Sequence, residues 1–184
     1  MTGGPSQGDH YSLFGLPRGF DLDCSDLEER FRRLQRSVHP DRHAAAGEGQ
    51  RRIATQRAAM VNDAYATLRS PLRRARYLLE LHDVEVETEN NAAMSPEFLM
   101  EQLELREEME EIGAADDPLR AVAGLIDRIR NDSKSLIDRL AAAFHVGSES
   151  GLQLARRHLL ELHFYHRLEE EALALEADLE DELL

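Results

Sequence analysis

At 184 residues and 42% hydrophobic content the chain can hold one domain or two small ones, each with a modest core, and nothing larger. Aromatic residues make up only 5%, Trp is absent, and Leu, Ala, Glu and Arg dominate, which argues against a strand-rich fold and for an all-α one. The formal net charge of -14 is uneven: residues 1–80 carry 13 Lys+Arg against 10 Asp+Glu, and residues 81–184 carry 9 against 26, a balance that speaks against nucleic-acid binding and leaves the acidic half open as a binding surface or a solvated face.

The single Cys24 cannot form an internal disulfide or a Cys-only metal site. Residues 1–8 are Gly/Pro/Ser-rich and are expected to be a disordered tail with neither a signal-peptide core nor transit-peptide arginines. No apolar run approaches the ~18–20 residues of a membrane span. A soluble cytoplasmic protein, with no membrane partner, is the expectation.

In chain order, Asp21 to Ser25 offers N-caps for a helix running to about Val38, in which Leu27, Phe31, Leu34 and Val38 fall within about 60° of one another. The opposite side carries Arg32, Arg33 and Arg36. Pro40 forces this helix to stop at His39. After a small-residue loop, Ile53, Met60, Ala64 and Leu68 predict a second amphipathic helix ending near Arg69. Ser70-Pro71 then opens a shorter helix through Leu72, Tyr77, Leu78 and Leu81. Two long helices thus flank one His39-Pro40-Asp41 loop.

From Asp83 to Met94 the pattern lapses into Val-Glu-Val-Glu-Thr-Glu-Asn-Asn, read as a linker, although its alternation also suits a short strand. Ser95-Pro96 begins a helix that Gly113 is expected to end. Asp117-Pro118 opens another that closes near His145 with Gly147 as its C-terminal glycine, and Ser148 caps a last helix. Three helices with short connections predict a three-helix bundle over 95–184.

The helix from Ser95 to Ile112 has two apolar sectors. With Leu99 at 0°, Phe98, Leu105, Met109 and Ile112 cluster at about 220° to 280°, an ordinary core stripe. Leu99, Met100 and Leu103 fall at about 0° to 100°, mixed with Glu104 and Glu107. A helix needs one stripe to join a bundle, so the second sector packs on another element or faces a partner, and the spacing alone leaves these two equal.

The tripeptide His39-Pro40-Asp41 after an amphipathic helix with an arginine-rich face, before a second such helix, and downstream of His10-Tyr11-Ser12-Leu13-Phe14-Gly15-Leu16, resembles a J domain, placed at residues 9–82. The resemblance implies that His39, Pro40 and Asp41, with Arg32, Arg33 and Arg36, engage an HscA/DnaK-type chaperone and stimulate its ATP hydrolysis as interaction residues. Pro40 would stiffen the loop, and the arginines would speed encounter with an acidic patch. The bland alternative is a capped surface loop beside solubilising arginines.

Val61-Asn62-Asp63-Ala64-Tyr65, Thr67-Leu68-Arg69 with Pro71, Arg74-Ala75-Arg76-Tyr77-Leu78-Leu79, the helix from Ser95, and Leu159-Leu160-Glu161-Leu162-His163-Phe164 together resemble the HscB-type co-chaperones of iron–sulfur cluster assembly. That resemblance implies a client surface formed by Leu99, Met100, Leu103, Glu104, Glu107 and Phe164, recognising an IscU-type iron–sulfur scaffold protein. The chain departs from some members in lacking a cysteine-rich N-terminal module, and its last helix is unusually acidic. A J-domain protein for another client, and a purely structural helical adaptor, are the alternatives.

No enzymatic site is expected: there is no Gly-rich phosphate loop and no G-x-S-x-G elbow, and the Glu pairs read as exposed repeats unlike a buried acid/base dyad. His158, His163 and His166 crowd one helix without a Cys, Asp or Glu at convincing ligand spacing, so no metal or other cofactor is assigned.

Overall fold

A computed structural model describes residues 8–38, 48–86 and 94–182. The chain divides into two compact units, Met1–His82 and Asp83–Leu184. Among the described residues there are helices and no strands, the all-α architecture expected from composition, and no helix is long and apolar enough to cross a membrane. Val84, Glu85 and Val86 adopt no regular structure; the rest of the expected linker, 87–93, and the tail residues 1–7 lie outside the described residues.

The first unit is built on α2 (Cys24–Val38) and α3 (Glu48–Arg69), packed as an antiparallel hairpin, with α1 (His10–Phe14) against both and α4 (Pro71–Leu81) against α3. Asp23 starts α2 by accepting hydrogen bonds from the Ser25 and Asp26 amides at 2.8 and 3.2 Å. Leu27 is fully buried, while Phe31 and Leu34 are half-buried, Phe31 stacking on Tyr65 with ring centroids 4.0 Å apart. Ser70 caps α4 through the Arg73 amide, with Pro71 in its first turn.

Helix α3 corrects the expected stripe. Ile53 and Met60 are 52% and 54% exposed, and the buried face is Ala54, Val61, Ala64 and Leu68. Ala64 and Leu68 lie on the expected face; the N-terminal half is turned by one residue. The small side chains of Ala54 and Ala64 let the helix approach its neighbours closely, and that fit outweighs the greater hydrophobicity of Ile and Met.

The five-residue α1 has no expected counterpart, because one turn and a half cannot display a helical period. Tertiary contacts hold it. Tyr11 and Phe14 are buried; the Tyr11 hydroxyl donates to the Gly19 carbonyl at 2.9 Å, and the Tyr77 hydroxyl accepts from the His10 amide at 3.0 Å. At its C-terminus Gly15 is left-handed, with φ 64°, and Arg30 donates to the Phe14 and Gly15 carbonyls at 3.0 and 2.9 Å. Arg74, buried, similarly donates to the Leu68 carbonyl at the end of α3 at 2.6 Å and lies over the Phe20 ring. Two helix ends are therefore satisfied by arginines from other helices.

The second unit contains α5 (Pro96–Glu111), a 3₁₀ turn at Ile112–Ala114, α6 (Pro118–Val146) and α7 (Glu149–Asp181). Ser95, Asp117 and Ser148 each cap the helix they precede, and Gly147 ends α6 with φ 62°. Helices α6 and α7 form a long hairpin whose seam is Val122, Leu125, Ile126, Ile129, Leu136, Leu140 and Ala143 against Ala155, Leu159, Leu162, Tyr165, Leu168 and Ala172. Gly151 makes the closest crossing possible: a Cβ there would lie 2.8 Å from the Ala143 carbonyl oxygen. Helix α5 contributes Phe98 and Leu105, and Ile112 follows in the 3₁₀ turn.

Candidate functional site

Two surfaces carry the residues singled out from the sequence. In the first unit Arg32, Arg33 and Arg36 are exposed on α2, on the side away from Leu27. Two of them have partners on their own helix: Arg32 meets Glu28 at 2.5 Å and Arg33 meets Glu29 at 2.8 Å, both i,i+4 pairs with the acid toward the N-terminus. The face is thus a row of paired charges. Such exposed pairs are worth only ~0–1 kcal/mol and exchange readily for a partner's carboxylates. His39, Pro40 and Asp41 lie outside the described residues.

In the second unit the projection of α5 holds. Phe98, Leu105 and Ile112 are buried and Met109 half-buried, while Met100 and Leu103 are 59% and 56% exposed. Leu99 is half-buried and Glu104 and Glu107 are exposed on the same side. Phe164 is half-buried on α7, with its ring edge-on to Phe98 at 5.7 Å and to Tyr165 at 5.6 Å. The guanidinium of Arg106 lies 5.8 Å from the Phe164 centroid and 3.4 Å from the Glu171 carboxylate, so Phe164 sits at the seam where α5 meets α7. Arg106, at about 340° on the same projection, borders Leu99 and Leu103 and links them to that seam.

Sequence reasoning missed the groups that hold this arrangement. The Tyr165 hydroxyl donates to Glu101 Oε1 at 2.6 Å. Burial first, and then that hydrogen bond and the nearby carboxylates, push the Tyr165 phenol well above its ordinary value, so it stays the donor. Arg128 on α6 pairs with Glu108 on α5, and Arg130 with Glu169 at 2.7 Å. No sequence spacing signals these pairs, since each joins different helices. On α7, Glu161 is buried and shares a hydrogen bond with the His158 ring at 2.9 Å. His166 approaches Glu170 at 3.7 Å. The arrangement offers contact surfaces: an apolar patch rimmed with carboxylates on one unit, and a charged helix face on the other.

Comparison with known proteins agrees on both halves. The DnaJ domain family matches residues 9–77, and the HSCB C-terminal oligomerisation domain family matches residues 94–173. The fold and these matches define a J-domain protein of the kind that carries a dedicated C-terminal helical domain.

The co-chaperone protein HscB homolog of Paraburkholderia phymatum is 46% identical over 151 residues, covering 82% of this chain and 86% of that protein. The homolog from Burkholderia thailandensis is 44% identical over the same span. Among solved structures, the chaperone HscB from Vibrio cholerae superposes with a TM-score of 0.80 at 38% identity, covering 96% of this chain and all of that one. Human co-chaperone protein HscB gives a TM-score of 0.84 at 28% identity, covering 93% and 83%. The chain belongs to the HscB co-chaperone family.

Proposed function

We propose that this chain is a two-handed co-chaperone of iron–sulfur cluster assembly: its C-terminal unit binds an IscU-type scaffold protein, and its J domain, residues 9–82, presents that client to an HscA/DnaK-type chaperone and stimulates its ATPase. The chain itself performs no catalysis. His39, Pro40 and Asp41, with Arg32, Arg33 and Arg36, meet the chaperone, and Leu99, Met100, Leu103, Glu104, Glu107 and Phe164 meet the scaffold. The observation that carries the scaffold handle is the exposure of Met100 and Leu103 on a helix whose other apolar sector is already buried. Apolar anchors give affinity, and Glu104 and Glu107 favour a client with a basic patch. Holding chaperone and scaffold on one chain raises their effective concentration.

Chaperone ATP turnover, measured with this protein and the scaffold added separately and together, tests both handles. Stimulation should be synergistic. Asp41→Asn should abolish it in a folded protein, and the pair Leu103→Ala, Phe164→Ala should weaken scaffold binding at least roughly tenfold, as loss of two interface anchors does. Stimulation by the chain alone, with no further effect of scaffold, would assign the J domain to another client; no stimulation at all would leave a structural adaptor.

A further inference from the structure

Most of the surface assigned to the scaffold lies on a lightly supported stretch of the second unit. Over residues 96–104 of α5 only Phe98 is buried, yet Leu99, Met100, Leu103 and Glu104 all belong to that stretch. The ion pairs that join α5 to the hairpin, Arg106 with Glu171 and Glu108 with Arg128, lie in its second half. In the first half one polar contact with the hairpin is found among the described residues: the hydrogen bond from the Tyr165 hydroxyl to Glu101 at 2.6 Å.

Glu101 lies at about 200° on the α5 projection, well away from the exposed patch. Asp132 on α6 is close enough that burial, and then the Glu101 charge, raise its carboxyl above the ordinary range, against Arg128 and Arg139. Like charges so placed repel, and a hydrogen-bond donor to Glu101 offsets part of that repulsion. Tyr165 supplies that donor, and its ring also packs on Phe98 and Phe164, with centroids 5.9 and 5.6 Å away.

We propose that Tyr165 and Glu101 form a latch that fixes the first half of α5 on α7 and so holds Leu99, Met100 and Leu103 in one plane with Phe164, making both of them positioning residues for client capture. This rests on the reading of that face as the scaffold-binding surface. The latch works by preorganisation: an unlatched α5 must be ordered at the moment of binding, and affinity falls although no contact residue has changed.

Calorimetric titration of the full chain with an IscU-type scaffold, beside amide hydrogen exchange of the free protein, tests the latch. Tyr165→Phe and Glu101→Ala should each weaken binding roughly tenfold, the loss of one charge-assisted hydrogen bond. Exchange should quicken over residues 97–104 and stay unchanged along α6. Glu101→Gln, whose amide carbonyl still accepts from Tyr165, should restore both readouts, which a general loss of stability would not do. Glu101 is exposed, so its variants remain folded even if Tyr165→Phe does not.

Leu103→Ala is the control. If it weakens binding while Tyr165→Phe and Glu101→Ala do not, the latch is wrong. If Leu103→Ala leaves affinity untouched, the scaffold reading of this face fails, and exchange over 97–104 then decides the latch alone: unaltered rates in Glu101→Ala overturn it.

Discussion

The two units solve helix packing in opposite ways. The first holds short elements together with polar groups reaching across: Arg30 closes the end of α1, Arg74 the end of α3, and Tyr11 and Tyr77 tie α1 to its surroundings. The second relies on one long apolar seam between α6 and α7, to which α5 is added by Phe98, Leu105 and a few polar ties. A seam of that length tolerates a lightly held third helix. That is where apolar side chains can stay exposed without unfolding the unit, because the core does not need them. In the first unit the ends of α1 and α3 are closed by arginines from other helices, and α2 presents a charged face.

The largest expected effect probes the seam. Leu159 is fully buried between α6 and α7, and Leu159→Ala should cost about 2–5 kcal/mol, read as a fall in the denaturant midpoint with hydrogen exchange quickened along both helices. A loss below about 1 kcal/mol would mean that the seam collapses around the cavity and is not the principal support. Second, Arg74→Ala removes the buried guanidinium from the Leu68 carbonyl and from the face of Phe20. It should destabilise the first unit by about 2–3 kcal/mol, leaving α6 and α7 protected from exchange. If α3 and α4 kept their protection, polar closure would not distinguish this unit from the other.

The same contrast explains what could be read from the sequence. Caps are local, so Ser70-Pro71, Ser95-Pro96, Asp117-Pro118 and Ser148 mark helix starts where they are found, and Gly147 marks an end. The two sectors of α5 were legible because each is large enough to show its own period. Helix α1 was not, since its stability comes from Arg30 and Tyr77, 15 and 67 residues away from their partners. The Ile53 and Met60 stripe lies one residue off the buried face, because Ala54 and Val61 next to them complete the same helical period and are the ones packed inward. Similarly, Arg32, Arg33 and Arg36 were legible as an exposed face, but projecting apolar periodicity did not reveal that Glu28 and Glu29 pair with two of them. The Tyr165–Glu101 contact is 64 residues apart in sequence and leaves no pattern.

The smallest effect should separate the units by sign. In the first, Asp9 caps α1; burial raises its carboxyl, but the Ser12 and Arg18 hydrogen bonds outweigh that and hold it below the ordinary 3.8. A depressed acid stabilises the fold above its unfolded value, and the contribution is lost as pH falls through the folded one. Asp9→Asn should therefore lower the melting temperature slightly at pH 7, with the difference shrinking as pH falls below the ordinary 3.8. In the second unit Asp132 is raised, by burial and then by Glu101. A raised acid does the reverse: its favourable contribution is present below the unfolded value of 3.8 and is lost as pH rises through the folded one. Asp132→Asn should stabilise α5 against the hairpin at pH 7, with the gain fading toward about pH 4. Thermal melts of both variants across that range decide it. Shifts of the same sign at pH 7 would show that Asp132 is held by Arg128 and Arg139 more strongly than Glu101 repels it, and that the charge opposing α5 is smaller than its position suggests.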